Sequence, residues 1–170
     1  MKISVKLWSF LVAILATLTF ADKTSDLKVK TVTIDITPGN PYFGNWSVEI
    51  SESGDRFSIL FPIIKELPEN MMFGLAVELN DRQVFAVEMS VCDGFEAGLL
   101  DQTLLDHVYP QDTLQLSCPV KAGDYELRDY SFLPDSTPFD LTAGELFVKF
   151  FYFEPNGQPI LTSTLEGLIS

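Results

Sequence analysis

From residue 30 onward the chain alternates between short runs with a two-residue apolar period and clusters of proline and glycine. This rhythm constrains the fold more than any other feature, because a period of two belongs to strands and the breakers keep each run short. Lys30 to Ile36 sets the pattern: Val32, Ile34 and Ile36 share a face, and Thr37-Pro38-Gly39-Asn40-Pro41 ends the run. Trp46 to Ile50 alternates again up to the turn-prone Glu52-Ser53-Gly54-Asp55. Phe57 to Ile64 is more continuously apolar and is interrupted by Pro62. Residues 71–80 and 83–91 predict a hairpin across Asn80-Asp81-Arg82, with Phe85, Val87, Met89 and Val91 on one face of its second arm. Residues 113–120 and 125–133 predict further strands joined at Lys121-Ala122-Gly123-Asp124. Residues 145–154 and 160–169 predict a closing pair around Pro155-Asn156-Gly157, where Asn-Gly supplies the positive φ angles of a tight turn. Leu99 to His107 is the one helix-like window. Eight or nine short strands at this spacing predict an all-β, immunoglobulin-like two-sheet β-sandwich.

The N-terminus stands outside that rhythm. Lys2 and Lys6 precede an almost wholly apolar stretch from Leu7 to Leu18, and Thr19-Phe20-Ala21 ends in a small residue. This is the layout of a secretory signal peptide, expected at residues 1–21 with cleavage after Ala21 and Ala16 as the other candidate. An apolar run of about a dozen residues is too short to span a bilayer core of roughly 30 Å. Residues 22–170 then form one domain, large enough for a complete core. All 24 acidic residues fall after residue 21 whereas two of the 11 basic ones fall before it, so this part carries a net charge of −15. Such a surface repels phosphate backbones, which excludes a nucleic-acid partner. At anionic membranes it predicts faster unloading in acid, where carboxylates are protonated.

Secretion also sets the expectation for the two cysteines, since paired thiols are the rule in an oxidising compartment. Cys92 and Cys118 predict one disulfide, whose loop closure stabilises by about 3–4 kcal/mol in the chain-entropy view. A zinc site is the weaker reading, because two cysteines and the single His107 fall short of four ligands. The sequon Asn45-Trp46-Ser47 makes Asn45 a candidate for N-glycosylation and predicts an exposed loop or strand start there.

Catalytic groups are sparse. No serine or cysteine stands in a recognisable nucleophile turn, and one histidine gives no metal pair. Asp93, Glu96, Asp101 and Asp106 lack the alternation and central glycine of a calcium loop and read as a solvated acidic face. No metal, cofactor or enzymatic activity is expected. The unusual feature is Glu145-Leu-Phe-Val-Lys-Phe-Phe-Tyr-Phe-Glu154, which is apolar on both faces: Leu146, Val148, Phe150 and Tyr152 on one side, and Phe147, Phe151 and Phe153 on the other. Two apolar faces mean a covered outer face, a partner, or rings lining a space. By itself the strand favours a large core over a ligand cavity; the 14 phenylalanines raise the second option, since apolar sites are lined mostly by such side chains.

In their order these segments resemble the ML lipid-recognition domain, in its branch of fungal phosphatidylglycerol/phosphatidylinositol transfer and Niemann-Pick sterol-transfer proteins. The resemblance rests on Val32-Thr-Ile-Asp-Ile-Thr-Pro-Gly-Asn-Pro-Tyr-Phe-Gly-Asn-Trp-Ser-Val-Glu-Ile-Ser and on Val91-Cys92 with Ser117-Cys118-Pro119-Val120 and Gly123. It continues through Leu133-Pro134 with Pro138 and Gly144 to Phe150-Phe-Tyr-Phe-Glu-Pro-Asn-Gly157, and so covers residues 28–170. The family usually pairs a cysteine of its last strand with one near the mature N-terminus, and both are missing here.

The resemblance implies a β-sandwich with an apolar cavity between its sheets, carrying a sterol or phospholipid without covalent chemistry. The expected setting is outside the cell or the lumen of a vacuole- or lysosome-like compartment, as a monomer making transient membrane contact. It implies a cavity aromatic at Phe85, with Val87 on the same face, and an entrance-loop residue at Phe139. Strand phase adds Phe132, Leu133, Phe147 and Phe151. Burying ~300 Å² of lipid at about 25 cal/mol per Å² gives roughly 7 kcal/mol before entropic costs. A secreted interaction protein using the sandwich as a recognition surface is the alternative function.

Overall fold

The computed structural model describes residues 26–97, 106–110, 118–131, 142–155 and 157–170. The expected signal peptide at 1–21, most of the helix-like window at 99–107 and the strand start at 113–117 lie outside these residues, as does the loop at 134–140.

Nine strands are described: β1 (Leu27–Ile36), β2 (Ser47–Ile50), β3 (Phe57–Leu60), β4 (Met72–Leu79), β5 (Arg82–Ser90), β6 (Val108–Tyr109), β7 (Glu126–Tyr130), β8 (Gly144–Phe153) and β9 (Pro159–Ile169). They form two antiparallel sheets, one in the order β1-β9-β8-β4-β5 and one in the order β2-β3-β7-β6. The chain is therefore an all-β two-sheet sandwich, as the period-two rhythm predicts.

The turns follow from their residues. Asn80 and Asp81 carry φ of 51° and 61°, the left-handed pair that joins β4 to β5 with the twist a two-residue hairpin needs. Asn80 also ties this turn to the start of β8: its N–H donates to the Glu145 carbonyl at 2.9 Å, and its Oδ1 accepts the Glu145 N–H at 3.0 Å. The five-stranded sheet is deeply zipped, with β8 and β9 in register from Gly144↔Ile169 to Tyr152↔Leu161 and a one-residue shift before Phe153↔Pro159. In the four-stranded sheet, among the described residues, β6 pairs with β7 at Val108↔Leu127 and Tyr109↔Glu126.

One element departs from the sequence reading. The second hairpin arm stops at Ser90, and Val91–Glu96 forms a single short helix, α1. Ser90 caps it, its Oγ accepting the Asp93 N–H at 3.0 Å, and Ser90-x-x-Asp93 is itself the local pattern of a capped helix start. Gly94 lets α1 lie on the sheet: a Cβ there would stand 2.6 Å from the Phe73 ring. Cys92 of α1 is disulfide-bonded to Cys118, so the expected staple joins the helix to the segment carrying Val120.

The core divides in two. Leu27, Val29, Val77, Leu79, Leu146 and Ile169 form an aliphatic cluster at one end. At the other, Phe43, Leu67, Met71, Phe73, Val91, Val120 and Leu161 belong to a larger cluster rich in aromatic rings. The first lies apart from the cavity wall. The second holds the cavity.

Candidate functional site

A cavity of about 170 Å³ opens inside the aromatic half. The four-stranded sheet contributes Ile59, Leu127 and Val108, and the chain running on from β3 contributes Phe61, Ile63 and Leu67. Helix α1 adds Val91 and Phe95, and the stapled segment adds Val120. Phe43 and Trp46, from the link between β1 and β2, and Tyr152 of β8 complete the wall.

The position of Phe43 is set by a side chain in the Thr37-Pro38-Gly39-Asn40-Pro41 break. Gly39 takes a φ of +79°, and Asn40 Oδ1 then accepts the N–H groups of Tyr42 at 3.0 Å and Phe43 at 2.7 Å. Asn40 Nδ2 donates to the Phe43 carbonyl at 3.2 Å, so one amide holds the residue from both sides. The chain after β3 is fastened equally firmly, with the Ile63 and Gly123 N–H groups donating to each other's carbonyls at 2.9 and 2.8 Å.

The rings interlock in a chain. Phe43 meets Trp46 edge-on at 5.7 Å and Tyr152 at 4.9 Å, and Trp46 meets Phe61 at 5.7 Å. Phe61 stacks on Tyr125 at 5.7 Å. The Tyr152 hydroxyl sits far from solvent, and burial pushes its pKa up to about 12 although the side chain keeps some surface open. That residual surface is consistent with its place on the cavity wall, where a lining side chain is accessible without facing bulk water. The indole Nε1 of Trp46 is buried and finds no acceptor among the described residues.

The residues expected from sequence to line a cavity are distributed differently. Phe132, Leu133 and Phe139 lie outside the described residues. Phe85 packs on the aliphatic cluster, and Val87 of β5 is half-buried opposite Leu75; neither is on the wall of this cavity. Phe147 and Phe151 are on the face of β8 opposite to Tyr152. Phe151 lies over Gly74 of the neighbouring strand, stacks on Phe153 at 5.6 Å, and has the Lys149 ammonium 5.8 Å from its ring centre. The strand phase separated the two faces, but the cavity belongs to the Leu146, Val148, Phe150 and Tyr152 side. Phe43 and Trp46 escaped the sequence reading because they stand in a turn, where no period marks them.

Asn45 is exposed immediately before β2, the placement expected of the sequon. His107 is half-buried, its Nδ1 2.9 Å from the Arg128 carbonyl oxygen and its ring edge-on to Tyr130 at 5.7 Å. Asp93, Glu96 and Asp106 are exposed, while Asp101 lies outside the described residues. No group of three or more His, Cys, Asp or Glu side chains stands together among the described residues.

No protein-family model matches the chain, and no curated protein does. Solved structures do match. Chicken MD-1 complexed with lipid IVa aligns over 84% of this chain and 96% of its own, at 8% identity and a TM-score of 0.38. A Niemann-Pick type C2 protein from the Japanese carpenter ant aligns over 85% and 93%, at 14% identity and a TM-score of 0.33. The fold stands on the two sheets themselves.

Proposed function

We propose that this chain is a secreted or lumenal, non-enzymatic lipid-binding and transfer protein, holding the apolar part of a sterol or phospholipid between its sheets. The observation that carries the reading is the cavity: a space between two sheets, walled almost wholly by aliphatic and aromatic side chains. The motifs in Val32–Ser51, around Cys92 and Cys118 and in Phe150–Gly157, which resemble those of the ML domain, support it.

The volume limits how the lipid is held. At about 170 Å³ the cavity is below the ~300–1,000 Å³ usual for small-molecule sites and near the ~150 Å³ of an engineered cavity that admits benzene. It takes a short stretch of acyl chain or one edge of a ring system, and a whole lipid enters as the gap between the sheets widens. Residues 1–21 act as the signal peptide and 22–170 as the working domain, which meets membranes only while loading and unloading.

Delipidated protein titrated with a fluorescent sterol and with labelled phosphatidylinositol tests the reading. Saturable one-to-one binding of at least one is expected, together with lipid co-purifying from the expressing cells in mass spectra. Absence of saturable binding to both overturns it and leaves the sandwich as a recognition surface for another protein.

A further inference from the structure

We propose that the Tyr152 hydroxyl selects the class of ligand, hydrogen-bonding a neutral oxygen on the part of the lipid that enters the cavity. This rests on the cavity being a lipid site and goes further, by stating what chemistry the enclosed end of the lipid carries.

Three observations place that hydroxyl. Tyr152 stands on the inward face of β8 and forms part of the cavity wall. Its hydroxyl has no hydrogen-bond partner among the described residues, whereas those of Tyr42 and Tyr125 donate to Glu154 Oε1 at 2.9 Å and to the Lys121 carbonyl at 3.1 Å. The Tyr152 oxygen is also not sealed. Among the described residues that are not exposed, Trp46 Nε1 is the one side-chain nitrogen or oxygen lacking both a partner and open surface, so the unpartnered Tyr152 oxygen keeps surface open. Phe43, Trp46 and Phe150 pack around the Tyr152 ring, and burial alone raises its pKa. The open surface of the hydroxyl is therefore that of the cavity, not of bulk water.

A buried hydroxyl is normally hydrogen-bonded, because an unmade bond keeps the full cost of removing the group from water. The other side chains of the wall offer no partner. Apart from Trp46, whose Nε1 is sealed, they are all Phe, Ile, Leu or Val. A carboxylate or phosphate would be buried there without a counter-charge, at a cost that one hydroxyl does not offset. A pure hydrocarbon would cover the hydroxyl and leave its bond unmade. A neutral oxygen fits, since a phenol donates to a carbonyl and either donates to or accepts from an alcohol. A single polar group in an apolar cavity also fixes orientation, so the lipid enters with an oxygenated end against β8.

The processed chain, residues 22–170, is titrated with three six-membered rings of matched shape: cyclohexanone, cyclohexanol and methylenecyclohexane, in which C=CH₂ replaces C=O. All are close in size to the benzene that a cavity of this volume admits. Tyr152→Phe removes the hydroxyl and keeps the ring. It is expected to weaken the preferred oxygenated probe about tenfold and the alkene by less than about twofold. In infrared difference spectra the C=O stretch of bound cyclohexanone is expected below its position in hexane, as a hydrogen bond to the carbonyl requires. Equal effects of Tyr152→Phe on all three probes overturn the role given to Tyr152 and leave the cavity a binding site. Where the variant does not fold, a stretch at the hexane position, read on the unmodified sequence, does the same. If none of the three rings binds, the inference falls: alone when sterol or phosphatidylinositol still binds, and together with the lipid-site reading when neither does.

Discussion

Phe43 and Tyr152 pack ring against ring at 4.9 Å, tilted by 38°, and so tie the turn before β2 to the end of β8. This contact crosses from one sheet's approach to the other sheet's strand, and both rings stand on the cavity wall. Tyr152 is also held edge-on by Phe150 at 4.9 Å, so its hydroxyl is buried by rings rather than met by charges.

That environment makes stability depend on alkaline pH. Burial raises the Tyr152 pKa from 10.0 to about 12, so the folded state holds the proton more tightly than the unfolded chain does. The contribution is complete below pH 10 and is lost as pH rises through the window to about 12. A shift of this size corresponds to about 3 kcal/mol. Urea unfolding at about pH 9 and about pH 11.5 should show this loss, and Tyr152→Phe should make it much smaller. A residual slope remains from Tyr125, raised by burial, and Tyr42, raised chiefly by its hydrogen bond to Glu154. An equally steep loss in Tyr152→Phe would show that the hydroxyl is solvated.

Filling the cavity should separate stability from binding. Val120 is buried on the wall, and Val120→Leu adds one methylene toward the space. The delipidated variant should gain up to about 0.8 kcal/mol, the value of one buried methylene, in denaturant unfolding. Its affinity for sterol or phosphatidylinositol should fall several-fold, because the same volume is no longer open to lipid. A variant that is more stable and binds unchanged would place the lipid elsewhere.

Much of the fold was legible because strands declare themselves through alternation. The runs around Val32, Val48 and Leu165 need no distant partner to be recognised, and Asn80-Asp81 announces its turn through residues that accept positive φ. Helix α1 was missed because six residues give no helical period, although Ser90 and Asp93 carry its cap. The site was less legible for two physical reasons. A strand apolar on both faces reveals its two sets of side chains but not which is inward, since that is decided by neighbours such as Gly74. Phe43 and Trp46 owe their position to the Asn40 side chain and to ring packing, neither of which leaves a periodic trace.

The disulfide should matter to the site as well as to the fold. Cys92 lies in α1 between Val91 and Phe95, both on the cavity wall, and its bond to Cys118 fixes the segment that carries Val120. Replacing both cysteines with serine should cost about 3 kcal/mol and weaken lipid binding beyond what stability alone explains. Thiol titration of the secreted protein, unfolded without reductant, should find no free sulfhydryl. Two free thiols would refute the staple in the native protein.

The two faces of β8 should respond to substitution in opposite ways. Gly74 stands beside Phe151 in the sheet register, and a Cβ on it would come within 2.2 Å of the Phe151 ring. Gly74→Ala must therefore displace that ring, at about 1–3 kcal/mol as for other overpacked sites. In a Phe151→Ala background the clash is gone, so the two changes should be strongly non-additive in a double-mutant cycle. Phe151→Ala alone should cost less than the ~3–5 kcal/mol of a fully enclosed phenylalanine and leave lipid affinity unchanged, because the ring serves the outer face. Phe61→Ala, on the cavity wall, should lower affinity at a comparable loss of stability. Unfolding curves give the first quantity and lipid titration of the folded variants gives the second. Loss of lipid binding in Phe151→Ala with Phe61→Ala unaffected would move the binding surface to the outer side of the sheet.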